Sequence, residues 1–361
     1  MVDQRTKSFY RPELDSLRFL AFLMVFLRHG LNTEIAFIDS LALAGTFGVC
    51  LFFLLSSYLI TELLEREESV TGTIHLRAFY VRRVLRIWPL YFAALLFDFV
   101  LQHFMSPGIF TSSRLIAFLL LAGNWYVSHH GYISTLSTPL WSISVEEQFY
   151  VVWPSIRKYF GRRTSIAFSI VMLVVSFLAL GIAIDTWTNS FVQFQFFSTG
   201  ALLALALRGR IPHISPAIRL LLFAAGMLAL LNCTQYFPHV TRGFSSSSFP
   251  WSALIYLSIN VGCILLFLSF LGEPRLGASR LLVYLGRISY GLYVFHWICL
   301  RVAVRALRHF THGYLPKPLT NLFEILLALC LTIACAAASY RFFEAPILRY
   351  KNRFEFVRTR V

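Results

Sequence analysis

LDSLRFLAFLMVFLRHG, residues 14–30, decides what kind of protein this is. The stretch is apolar enough to cross a bilayer, yet it carries Arg18 and His29. An ionisable side chain inside a span costs roughly 2.5–3.5 kcal/mol on insertion scales, so such residues usually face a cavity and act there. Eleven steps along an α-helix turn through about 1100° and rise about 16 Å. Both side chains therefore share one stripe, with Arg18 near the cytosolic surface and His29 deep in the membrane. Imidazole is the side chain best suited to accept a proton near neutral pH, which makes His29 a candidate general base for a hydroxyl nucleophile. The alternative is a packed histidine bonded to a neighbouring span. Arg18 interrupts the apolar run and no small-residue cleavage site follows, so the stretch is expected to stay as a span rather than leave as a targeting peptide.

Composition extends that reading to the whole chain. Of 361 residues, 57% are hydrophobic and 14% charged, with a mean hydropathy of +0.67. A water-facing domain of this length needs more polar surface, so lipid is the expected solvent. The 32 Lys and Arg against 17 Asp and Glu give a formal charge of +15. In a membrane protein such a surplus marks cytoplasmic loops, and no nucleic-acid partner is expected. The six cysteines lie in or beside apolar runs without CxxC or Cys/His spacing, which predicts free thiols and no metal.

At about 20 apolar residues per span, the candidate segments are 15–32, 43–64, 87–105, 114–128, 140–156, 165–184, 191–207, 217–236, 251–271, 287–306 and 319–343. The longest polar connection, from Glu62 to Arg83, leaves no room for an extramembrane domain. The fold class expected is an all-α membrane protein, residues 1–361 forming one transmembrane domain with an amino-terminal arm (about 1–14) and a basic tail (about 345–361). Basic stretches at Arg5, Lys7 and Arg11, at 62–86, at Arg157 to Arg163, at Arg208 and Arg210, at Arg275 and Arg280 and after Arg341 should be cytoplasmic. Sides alternate consistently if 87–105 and 114–128 together cross once. About ten crossings follow, with one re-entrant or interfacial segment and both termini cytoplasmic. Arg301, Arg305 and Arg308 fall on the outer side against the rule, which reads as lining a site.

Three further clusters carry possible chemistry. In FYVRRVLRIWPLY (79–91), Arg83 and Arg86 lie one helical turn apart with Arg82 alongside, so their guanidinium groups can converge on an anion such as phosphate. A plain positive-inside anchor has the same pattern. In PLWSISVEEQFYVVWP (139–154), Glu146 and Glu147 enter an apolar segment beside Trp141, Tyr150 and Trp153. Carboxylates there need partners, either buried arginines or the hydroxyls of a sugar stacked on the aromatic rings. His296, in GRISYGLYVFHW, and Glu344, in SYRFFEAP, stand at span ends, where interfacial solvation is the competing explanation.

Six motifs in order, RPELDSLRFLAFLMVFLRH (11–29), FGVCLFFLLSSYLIT (47–61), FYVRRVLRIWPLY (79–91), LWSISVEEQFYVVWP (140–154), GRISYGLYVFHW (286–297) and SYRFFEAP (339–346), resemble the acyltransferase-3 family of bacterial multi-pass membrane acyltransferases over nearly the whole length. The resemblance implies an acyl-coenzyme A donor, most often acetyl-CoA, and a location in the bacterial inner membrane. It also implies an acceptor hydroxyl on a cell-envelope glycan, an exported polysaccharide or a secondary metabolite such as a macrolide. The family's Arg-x10-His falls on Arg18 and His29, its Arg-x-x-Arg on Arg83 and Arg86, and its terminal carboxylate on Glu344. Arg82, Arg83 and Arg86 would then hold donor phosphates. His29 would deprotonate the acceptor or form a transient acyl-imidazole, and Glu146, Glu147, Trp141, Tyr150 and His296 would meet the acceptor. The chain departs from the family at Cys50, where an acidic residue is common, at Ser57 in place of Gly, and at Ala345 in place of Arg. With no appended esterase-like domain after residue 346, it reads as a stand-alone transferase. A rival class is a transporter or flippase of a lipid-linked glycan, which an inverted repeat would favour; none is apparent in the sequence. A second rival is a structural membrane subunit whose buried charges are simply paired.

Overall fold

The computed structural model describes residues 10–105, 108–132, 135–236, 249–311 and 316–357. Arg5 and Lys7 of the amino-terminal arm lie outside them, as do residues 237–248 between two of the candidate segments. Among the described residues there are helices and no strands. Backbone groups in hydrocarbon must be bonded within their own segment, and a helix does this. The helices are α1 (Pro12–Gly30), α2 (Ala36–Ala44), α3 (Gly48–Thr71), α4 (Leu76–Met105), α5 (Ser112–Leu119), α6 (Gly123–His130), α7 (Trp141–Ala179), α8 (Ser190–Leu207), α9 (Pro216–Thr234) and α10 (Phe249–Phe270). After a short turn of helix at Pro274–Ala278 come α11 (Arg280–Arg287), α12 (Ser289–Thr311) and α13 (Lys317–Ser339). A π-helical turn, Tyr340–Glu344, then leads into α14 (Ala345–Lys351).

This is a multi-pass membrane protein. Seven helical stretches among the described residues are long and apolar enough to cross a bilayer: Ala36–Thr71, Leu76–Met105, Thr138–Ala179, Ser190–Leu207, Pro216–Thr234, Phe249–Phe270 and Lys317–Lys351. Large apolar side chains stand exposed on them, including Leu220, Leu221 and Leu228 of α9 and Phe342 of the π turn. Contiguous exposed apolar surface of this kind needs lipid or a partner against it.

Seven is fewer than the ten or so crossings expected, for two physical reasons. Polar and charged residues (Glu13, Asp15, Arg18 and Arg28 in α1; Arg301 and Arg305 in α12) dilute two helices below that standard. The segments 140–156 and 165–184 also follow one another without a loop, as two helical arms of α7 that meet at a kink at Gly161, φ 70° and ψ −171°, and so make one of the seven stretches. The segment 114–128 is not one helix. It breaks into α5 and α6 around Leu121, φ 56°, so neither piece has the length to span. The connection from Glu62 to Arg83 is mostly helix rather than loop, because α3 runs on to Thr71 and α4 starts at Leu76.

The acidic end of α3 explains that extension. Glu62 pairs with Arg11 and Arg66 at 3.1 and 2.9 Å, Glu67 with Arg82 at 2.8 Å, and Arg157 reaches Glu68 at 2.6 Å. Arg162 reaches Glu65 at 3.2 Å. Arginines of α4, α7 and the residue before α1 thus converge on one carboxylate-rich helix end. At the heart of the bundle α1 lies against α3, α11 and α12, with glycines allowing close approach. A Cβ on Gly286 would sit 1.8 Å from the Asp15 carbonyl oxygen, and one on Gly48 would sit 2.4 Å from that of Ala21. All six cysteines are free thiols; Cys50, Cys233, Cys263 and Cys299 are buried, Cys330 and Cys335 exposed.

Candidate active site

Three abutting cavities follow α1 from its amino-terminal end to its carboxyl-terminal end. The first, about 110 Å³, is walled by Tyr10, Asp15, Arg18, Arg83, Arg86 and Lys351 among others. The second, about 90 Å³, shares Arg18, Arg83 and Arg86 with it and adds Ser56, Ser142, Glu146, Tyr150 and Tyr293. The third, about 620 Å³, shares Val49 and Tyr293 with the second and contains Arg28, His29, Tyr132, Trp141, Asp185 and Trp297. Only the third has the size usual for a small-molecule site. The other two are small.

At the first cavity, neighbouring arginines have different surroundings. Arg82 is buried, donates to Glu67 at 2.8 Å and also to the carbonyl of Phe354. It is committed to holding the end of the chain on α3 and α4. Arg83 makes no hydrogen bond or salt bridge among the described residues; its guanidinium lies over the rings of Phe79 and Tyr150, 5.4 Å from each. Arg86 is drawn electrostatically toward Glu344. Arg18 pairs with Asp15 at 3.3 Å, and Tyr10 donates to the same carboxylate at 2.9 Å. Burial, and secondly the Asp15 charge, push the Tyr10 hydroxyl above its ordinary range, so it remains a donor at neutral pH. Arg18, Arg83, Arg86 and Lys351 thus surround a small volume that Asp15, Glu67 and Glu355 also line, with Lys351 paired to Glu355 at 2.9 Å. The basic groups there are partly balanced, and Arg83 is the donor best placed for an anion.

The second cavity runs beside α7 and α12. Tyr150 donates a short hydrogen bond to Glu146, and the hydroxyls of Ser142 and Tyr293 are 2.7 Å apart. Glu147, the neighbouring carboxylate, turns the other way. It accepts from the Trp88 indole at 3.0 Å and lines none of the three cavities.

In the third cavity His29 is exposed to the cavity space, its ring edge-on to Trp297 at 4.9 Å. Its Nδ1 is 3.1 Å from Nε2 of His296. His296 itself is fully enclosed and reaches no cavity, so it stands behind His29 rather than beside an acceptor. Trp141 packs edge-to-face on Trp187, 6.0 Å away, and both rings form wall. Arg28 donates to Thr46 at 3.1 Å. Asp185, in the α7–α8 connection, accepts from the Thr188 hydroxyl at 2.5 Å and the Trp187 amide at 2.9 Å, and burial raises its carboxyl above the ordinary range.

Of the residues singled out in the sequence, Arg18, Arg83, Arg86, Glu146 and Tyr150 meet around the first two cavities, and His29 and Trp141 around the third. Glu344 lines none of them; it accepts from Ser339 at 3.1 Å inside the π-helical turn, behind Arg86. Arg301 and Arg305, expected with Arg308 to line a site, line none of the three, and the Arg308 side chain lies outside the described residues. Residues absent from the sequence reading are Lys351, Ser142, Tyr293, Trp297 and Asp185. One signal was present for two of them: Ser289, Tyr293 and Trp297 recur every four residues, which stacks them on one face of a helix.

A bundle with a basic-lined cavity at one end, a small polar cavity beside it and a cavity-facing imidazole fits a membrane-embedded group transferase. Residues 11–341 match the acyltransferase domain family, and the chain belongs to that family. It is 26% identical over 383 aligned residues to the peptidoglycan O-acetyltransferase OatA of Listeria monocytogenes, covering 96% of this chain and 56% of that protein. It is 27% identical over 381 to the putative peptidoglycan O-acetyltransferase YrhL of Bacillus subtilis (94% and 55%), and 27% identical over 370 to a putative O-acetyltransferase of Staphylococcus aureus strain MSSA476 (93% and 57%). The chain thus spans little more than half the length of these relatives. No solved structure matches it.

Proposed function

We propose that this protein is a membrane O-acyltransferase that takes an acyl group, most often acetyl, from cytosolic acyl-CoA and places it on a hydroxyl of a cell-envelope glycan. One observation carries the reading: the cavities that begin among Arg18, Arg83 and Arg86 share walls all the way to His29. The names of the relatives support the O-acetyl and glycan parts of it.

In this scheme Arg83 and Arg86, with Lys351, hold the donor's phosphates, and Arg82 braces them from behind through Glu67. The pantetheine arm lies in the narrow second cavity, which brings the thioester to the edge of the third. There the acceptor rests between Trp141, Trp187 and Tyr132, with Asp185 and Arg28 as polar contacts. His29 takes the acceptor's hydroxyl proton while the oxygen forms the new C–O bond. The C–S bond breaks, and the departing thiolate collects the proton from the imidazolium. The topology that goes with this has ten crossings: the seven apolar stretches, α1, α12 and the second arm of α7. It sets both termini on the cytosolic side of the bacterial inner membrane.

The test is purified protein with radiolabelled acetyl-CoA, following acyl transfer or slow release of free coenzyme A. General-base assistance contributes about 10²- to 10⁴-fold, so His29→Ala should lose at least about 100-fold while unfolding at the wild-type temperature. Full activity in that variant, or glycan transport with no acyl turnover in the wild type, overturns the proposal.

A further inference from the structure

His296 uses both of its ring nitrogens. Its Nδ1 lies 2.5 Å from the Tyr293 carbonyl oxygen, and its Nε2 lies 3.1 Å from Nδ1 of His29. A carbonyl oxygen only accepts, so the hydrogen is on Nδ1 of His296. The ring is completely buried, its neighbours are Phe22, Tyr293 and Trp297, and no carboxylate contacts it among the described residues. An unpaired cation in such surroundings is costly, so the ring is neutral and Nε2 offers a bare lone pair. The hydrogen between the two rings therefore belongs to His29.

The ring geometry agrees. The centroids are 5.1 Å apart with 28° between planes. Offset rings commonly stand about 4.5–7 Å apart, and the offset here brings Nδ1 of His29 to 3.1 Å from Nε2 of His296, within hydrogen-bond distance.

We propose that His296 is the positioning residue that holds His29 in one tautomer, with Nδ1 protonated and Nε2 bare for the third cavity. The Tyr293 carbonyl orients His296, and His296 orients His29. This rests on His29 acting as base or nucleophile, and it names which nitrogen acts. When Nε2 takes the acceptor proton, the imidazolium keeps its Nδ1 hydrogen bond to His296. No proton passes further, because the second nitrogen of His296 is already bonded to the carbonyl. A neutral acceptor thus occupies the place that a carboxylate takes in the Ser-His-Asp arrangement, where its job is likewise tautomer and orientation. If the reaction runs through an acyl-imidazole instead, the acyl group forms on the same Nε2.

The experiment uses the full chain in detergent, with acetyl-CoA as the probe, and compares wild type with His296→Phe and His296→Gln. Phe keeps a ring and removes the acceptor; the Gln side-chain oxygen can accept near the place of Nε2. Selective ¹⁵N-histidine labelling, with the His29 signals identified by their loss in His29→Ala, reads the tautomer without reference to turnover. We expect His29 to be protonated at Nδ1 in the wild type and to lose that preference in His296→Phe. In that variant kcat should fall about 10²- to 10⁴-fold, the scale of general-base assistance, with KM for acetyl-CoA little changed. His296→Gln should recover at least about tenfold of the loss. Wild-type His29 protonated at Nε2, or His296→Phe with kcat within about threefold of wild type, overturns the proposal. Should the wild type not turn over acetyl-CoA, the donor reading fails by itself; the tautomer spectrum still decides this one, Nδ1–H upholding it and Nε2–H refuting it.

Discussion

Arg82 and Arg83 are adjacent in sequence and should fail in opposite ways. Arg82 is 4% exposed and its partner Glu67 is 1% exposed. Removing the guanidinium leaves a buried carboxylate with only the His75 amide at 2.8 Å and the His75 ring at 3.3 Å. Breaking one side of a buried pair costs about 3–5 kcal/mol, so Arg82→Gln should lower the unfolding temperature. Arg83 holds nothing together but two rings, an interaction of about 0.5–2 kcal/mol, with Glu146 attracting it from beyond contact distance. A charged hydrogen bond to phosphate contributes about 1.5–3 kcal/mol. At 1.4 kcal/mol per factor of ten, Arg83→Gln should therefore weaken binding of coenzyme A by about 10- to 150-fold and leave the unfolding temperature nearly unchanged. Calorimetric titration of acetyl-CoA and coenzyme A into each variant in detergent, beside thermal unfolding by intrinsic fluorescence, measures both quantities. Wild-type donor affinity in Arg83→Gln, with loss of affinity at unchanged stability in Arg82→Gln, would refute the assignment of the two roles.

Gly286→Ala should abolish accumulation of folded protein, since its Cβ would lie 1.8 Å from the Asp15 carbonyl; Gly72→Ala, which meets nothing within 4 Å, should express with only the modest strain of its positive φ, and gel filtration of both separates the outcomes. Asp185 has its carboxyl raised by burial, so its contribution to folding is present below the ordinary carboxylate pKa of about 3.9 and lost as pH rises through the higher folded value. Asp185→Asn should accordingly raise the unfolding temperature at pH 7, and the advantage should shrink toward zero near pH 4; a gain that is constant with pH would count against a buried charge. Single cysteines placed at the exposed positions Ile184 and Arg208 in a cysteine-free background should label from opposite sides of the membrane, and labelling from one side would remove α8 from the set of crossings.

The spacing of Arg18 and His29 was legible because a helix in a membrane has one geometry, and eleven residues on it return to the same face. The arginines at 82–86 were equally visible as a cluster. What distinguishes Arg82 from Arg83 was not, because it depends on Glu67, fifteen residues away, and on the carbonyl of Phe354 at the far end of the chain. The same holds for Glu146 and Glu147: adjacent residues on a helix point about 100° apart, so one meets the cavity and the other Trp88. That only one of 87–105 and 114–128 crosses was legible from loop charge; which one does was not, because hydropathy does not register Leu121 in a left-handed conformation.

Sequence alone determined that this chain is a helical membrane protein, because the cost of transferring polar groups into hydrocarbon is a property of composition and length. It also identified the family and the stripe on α1. Tertiary structure decided which charges are bonded and which stand ready for a ligand, and that a buried histidine lies directly behind His29. Those are matters of distance between residues as far apart as 29 and 296, and packing sets them.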